Sequence, residues 1–97
     1  MNSPGLWLRF PPDHPALAGH FPQRPIVPGV MLLDAALHAI DPAGTHWHVS
    51  SVKFHRPVGP DESMRLDCIP QLGGAVRVEL HAAQGLVLTA AIERRRP

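Results

Sequence analysis

The sequence predicts an α+β fold in which an antiparallel sheet wraps around one central, buried helix. Two observations carry this. A single apolar segment free of glycine and proline spans residues 30–40, and four later segments of alternating or continuous apolar residues are separated by turn signals. A sheet with one apolar face and a helix apolar nearly all round each need a cover, and wrapping one around the other satisfies both. The chain has 97 residues and reads as one domain over its whole length, without an internal repeat or linker. So short a chain buries a modest share of its surface, which favours burying more by self-association.

The elements follow in order. Residues 6–10, Leu-Trp-Leu-Arg-Phe, form a short strand ended by Pro11 and Pro12. Residues 11–29 hold six of the twelve prolines, which excludes a helix and favours a stiff extended loop. The helix over 30–40 is rich in Leu, Ala and Met and stops at Asp41-Pro42-Ala43-Gly44. Residues 46–57 form a strand whose apolar parity changes midway, so a bulge or burial of both faces is expected. Residues 64–68 and 76–81 alternate as half-buried strands. Residues 86–92 are a nearly continuous apolar strand. Turns fall at 59–62, 71–74 and 84–85.

Composition removes several classes of function. A net charge of +1 lacks the basic bias of a nucleic-acid-binding protein. Cys68 is the sole cysteine, which precludes an intramolecular disulfide and a cysteine metal cluster and fits a reducing, cytoplasmic setting. The first residues lack the pattern of a signal peptide, and no apolar run reaches the roughly 20 residues of a membrane helix. His46-x-His48 has no third ligand nearby, so no metal site is expected.

The chemistry concentrates in one stretch. Asp34 lies within the apolar helix, where an ionised carboxylate is costly unless paired or functional, and His38 shares its face at i+4. His20 lies between Gly19 and Phe21 on the proline-stiffened loop that leads into that helix. A restrained imidazole that titrates near neutrality, together with an enclosed carboxyl, is a candidate acid/base pair. At Pro28-Gly29 the first helical N–H groups lack internal acceptors and carry partial positive charge, suited to a developing oxyanion.

The run Gly19-His20-Phe21-Pro22-x-x-Pro25-x-x-Pro28-Gly29-Val30-x-x-x-Asp34 resembles the active-site segment of 3-hydroxyacyl-ACP dehydratases of the FabA/FabZ type. Lys53-Phe54-His55-Arg56-Pro57-Val58 resembles the strand motif that follows the helix in that family. The short length and Asp13-His14-Pro15-Ala16-Leu17-Ala18 look most like the compact ApeI-like dehydratases of aryl-polyene biosynthesis. The resemblance implies a hot-dog fold, a dimer, and sites at the subunit interface. It implies that His20 removes the C2 proton of a 3-hydroxyacyl thioester and that Asp34 of the other subunit protonates the leaving hydroxyl. Gly29 N–H would polarise the thioester carbonyl, and Phe21, Pro28, Val30 and His38 would line the acyl site. No cofactor is implied. The implied partners are acyl-carrier protein and a second copy or related hot-dog subunit, with no nucleic acid and no membrane. The same fold also serves enoyl-CoA hydratases, thioesterases and non-catalytic partner subunits. This chain carries Asp34 where many relatives have glutamate, His38 where glutamine is common, and a short connection after the helix.

Overall fold

The computed structural model describes residues 6–11, 13, 26–41 and 47–94. Strand β1 is Leu6–Leu8, helix α1 is Gly29–Ile40, and strands β2 to β5 are Trp47–Phe54, Met64–Pro70, Val76–Ala82 and Gly85–Arg94. The five strands form one antiparallel sheet in the order β1-β3-β4-β5-β2. The expected strands and helix are all present, within a few residues at each end. The proline-rich stretch expected as a stiff loop lies mostly outside the described residues.

Alternation sets the sheet's inner face. Met64 and Leu66 of β3, Val78 and Leu80 of β4, and Leu88, Ala90 and Ile92 of β5 are buried, and Leu32 and Ala36 of α1 complete the same core. Their neighbours Arg65, Asp67, Arg77 and Glu79 occupy the other face. Two register shifts interrupt the ladders. One lies between Val49 and Ser51 in β2, where the changing apolar parity calls for it. The other lies opposite Leu80 and His81, where β5 carries Val87 as an extra residue between Leu86 and Leu88. That bulge accounts for the consecutive burial of Val87 and Leu88.

Two tethers shape the end of the molecule where α1 begins. Val27 N–H donates to Val58 C=O at 2.8 Å, which ties the segment before the helix to the segment after β2. His55 N–H donates to the bulged Val87 C=O at 2.8 Å. At the other edge, Asp61 N–H donates to Phe10 C=O at 2.7 Å and its carboxylate pairs with Arg9. Asp61 takes φ 67°, a left-handed conformation that aspartate tolerates better than most side chains.

The helix departs from the expected burial on most faces. The helix is not enclosed on most faces within one chain: Val30, Asp34 and His38 are exposed along one stripe, and no charged or polar residue is buried among those described. The Leu32–Ala36 side of the helix is fully covered, and Met31, Leu33, Ala35, Leu37, Ala39 and Ile40 are partly buried against the same core. Of the apolar residues on the helix, Val30 alone is exposed.

Candidate active site

The start of α1 has no side-chain cap. Pro28, with φ −56° and ψ 138°, holds the N-cap position, and the first turn has no acidic residue. Pro28 C=O accepts from Met31 N–H at 3.0 Å and Leu32 N–H at 3.3 Å. Among the described residues, no acceptor meets the Gly29 or Val30 N–H groups. The positive end of the helix is therefore open.

It opens into a cleft of about 690 Å³ lined by Ile26, Val27, Pro28, Gly29, Val30, Leu32, Phe54, His55, Arg56 and Pro57. That volume is within the range of small-molecule sites, and the walls are mostly apolar. The floor comes from the helix start and the opposite wall from the end of β2. Phe54 is the last residue of β2 and pairs with Leu88. His55 Nε2 lies 3.0 Å from Thr89 Oγ1, and the Arg56 guanidinium donates to Gln84 Oε1.

Of the sequence-predicted site residues, Gly29, Pro28 and Val30 line this cleft. Asp34 and His38 are exposed farther along α1 and are not among its lining residues. Helical geometry gives the reason. Asp34 is five residues beyond Gly29, which turns it about 140° around the axis and about 7.5 Å along it. His20 and Phe21 lie outside the described residues. Sequence reasoning did not place Phe54 or His55 in the site. The Lys53-Phe54-His55-Arg56-Pro57-Val58 motif was the available signal, but periodicity places it only at a strand end.

A second polar cluster sits on the outer face of β3 and β4. His81 Nε2 is 2.9 Å from Glu79 Oε1 and 3.8 Å from Asp67 Oδ2, and ligand atoms of Asp67, Glu79 and His81 all lie within 4.8 Å of one another. Both carboxylates already have cationic partners: Arg65 Nε donates to Asp67 at 3.1 Å and Arg77 Nε to Glu79 at 2.6 Å. The Arg77 hydrogen bond, followed by that of His81, holds the Glu79 carboxyl below its ordinary value. The cluster is a neutralised ion-pair network and shares no residue with the cleft. On the same strand, burial first and the Asp67 charge second push the Cys68 thiol up, away from the reactive thiolate.

One helix packed on a five-stranded antiparallel sheet, with an uncapped helix start opening into an apolar cleft, defines a hot-dog-fold protein. Solved structures agree. A chain of the dehydratase heterocomplex ApeI:P from Xenorhabdus doucetiae superposes with a TM-score of 0.80 at 20% identity, covering 99% of this chain and 95% of that one. The (R)-hydratase from A. caviae involved in PHA biosynthesis superposes at 0.61 and 18% identity, covering 98% and 95%. The profile of the ApeI-like family, ApeI dehydratase, matches residues 2–89, and the chain belongs to that family. Curated relatives include the 3-hydroxyacyl-[acyl-carrier-protein] dehydratase FabZ of Granulibacter bethesdensis, 34% identical over 53% of this chain and 38% of its own length. That of Haemophilus influenzae is 30% identical over 65% and 53%. The chain thus spans about half or less of the length of these relatives. Among the described residues, no helix is long and apolar enough to cross a membrane.

Proposed function

We propose that this chain is a cofactor-free 3-hydroxyacyl-ACP dehydratase that forms trans-2-enoyl thioesters at a site shared by two hot-dog subunits. The observation that carries the reading is the open helix start at Gly29 facing an apolar cleft, in a chain of the ApeI-like family. The thioester carbonyl accepts from Gly29 N–H, so negative charge that develops on its oxygen as the C2 proton leaves meets a fixed dipole. His20 takes that proton. Asp34 of the second subunit gives a proton to the C3 hydroxyl, which departs as water. The acyl chain lies along Ile26, Val27, Leu32 and Phe54.

Two features support a second subunit. Asp34 is exposed on α1 and does not line the cleft of its own chain, which supports a role for it in a neighbouring one. In addition, among the described residues β2 pairs with β5 alone and carries exposed Val52 and Phe54, and exposed Val30 lines the same cleft as Phe54. A sheet edge with apolar side chains is a surface that a second chain covers. The likeness to a chain of a dehydratase heterocomplex favours a second form of the same reading, in which the partner is a related hot-dog subunit and this chain supplies half of each site.

The test is incubation of the purified assembly with 3-hydroxyacyl-ACP of several chain lengths, with loss of water followed by mass spectrometry. Water loss from the ACP-linked substrate supports the reading. Turnover of CoA-linked substrate alone assigns a hydratase instead, and release of free thiol assigns a thioesterase. Inactivity alone and in complex with a related subunit contradicts the proposal.

A further inference from the structure

We propose that Phe54 is a specificity-determining residue: its ring closes the cleft over Gly29 and excludes acyl thioesters that carry a branch on C2. The inference rests on the thioester reading of the cleft. It starts from a contact. A Cβ built on Gly29 would lie 2.8 Å from Phe54 Cε1 and 3.0 Å from both Cδ1 and Cζ. Carbon atoms pack at about 3.5–4.0 Å, so less than a methyl group of free space separates the Gly29 Cα from the ring.

That gap lies beside the open Gly29 N–H. Gly29 and Phe54 line one cleft, so in the thioester reading a group that accepts from this N–H lies near the ring. A thioester with a CH₂ at C2 presents a flat profile there. A methyl on C2 adds a carbon beside the carbonyl, where the ring leaves little free volume. The branched substrate still carries one hydrogen on C2, so dehydration of it remains chemically possible and the exclusion is one of space.

The ring projects from a backbone position that the sheet fixes. Phe54 is paired with Leu88 across β2 and β5, and the next residue is tied to Val87 C=O through its N–H and faces Thr89 Oγ1 through its imidazole. Phe54 is 48% exposed and is not among the buried core residues. Trimming it therefore changes the cleft and leaves the core intact.

The experiment compares kcat/KM of the full chain, in its native assembly, on a linear 3-hydroxyacyl-ACP and on its 2-methyl analogue. The wild type prefers the linear substrate by about 3- to 10-fold, the span set by turning an aromatic ring away from its rotamer. Phe54→Ala brings the ratio toward unity, mainly by raising kcat/KM for the branched substrate, and Phe54→Leu falls between. Circular dichroism of both variants checks that they fold. An unchanged ratio in either folded variant, or equal use of both substrates by the wild type, overturns the assignment of Phe54 alone. Turnover of neither substrate by the wild type removes the dehydratase reading, and this inference with it.

Discussion

Replacing Gly29 by alanine probes the site with one methyl group. The backbone there is ordinary helix, since the left-handed glycines among the described residues are Gly73, Gly74 and Gly85. Alanine therefore fits the conformation and gains up to about 1 kcal/mol of helix propensity. Against that, its Cβ would meet the Phe54 ring at 2.8 Å. The ring has to turn away from its rotamer, which costs about 0.5–1.5 kcal/mol. The two terms nearly cancel. With about 4–8 °C of melting temperature per kcal/mol at this size, Gly29→Ala melts within a few degrees of the wild type. Catalysis should suffer far more, because the methyl and the displaced ring occupy the approach to the helix N–H. Loss of one such donor typically lowers kcat by about 10²–10³-fold. Mass spectrometry of 3-hydroxyacyl-ACP turnover beside a thermal melt reads both quantities. Adding Phe54→Ala to Gly29→Ala should restore part of the turnover, because the two side chains then no longer compete for one volume. A folded Gly29→Ala variant with wild-type turnover would refute the placement of the thioester at the helix start.

Other outcomes follow from the same geometry. His20→Ala is expected to lower turnover by about 10²–10⁴-fold with little effect on melting, and full activity in that variant would exclude it as the base. Leu80, fully buried in β4, is expected to cost about 2–5 kcal/mol when cut to alanine, measured by urea denaturation; a loss within experimental error would contradict its place in the core. The Cys68 thiol, pushed up by burial, should react with a disulfide reagent at neutral pH much more slowly than the unfolded chain does. Glu79 is held below its ordinary value of 4.5, so its contribution to stability is complete above that pH and is lost as pH falls through the depressed value. Arg77→Ala should therefore shrink the acid-side loss of stability, and identical acid profiles for variant and wild type would sink this account of the ion-pair network.

Much of the fold was legible because its signals are local. The alternation of Met64, Leu66 and Cys68 with Arg65 and Asp67 fixes the faces of β3, and the change of parity in β2 appears as a register shift beside Ser50. Pro28 and Gly29 mark the helix start because a missing N–H is harmless at the N-cap and Gly29 leaves room for Phe54. What sequence could not give is set by contacts between distant segments. Phe54 meets the helix start and His55 lines the same cleft in a region where Val27 is tied to Val58 and His55 to Val87 across the fold. Asp34 was expected to be buried because its neighbours are apolar. Periodicity counts apolar neighbours but cannot say whether they are covered by the same chain or another, and here Asp34 is exposed in one chain.

The central claim is that each site draws His20 from one chain and Asp34 from another. Complementation tests it most directly. His20→Ala and Asp34→Asn proteins are prepared separately, each inactive, then mixed, allowed to exchange subunits, and assayed on 3-hydroxyacyl-ACP. With one intact site in about half of the resulting dimers, the mixture should regain roughly a quarter of wild-type turnover. Mixed dimers that form, verified by native mass spectrometry, yet stay as inactive as their parents would contradict the shared site.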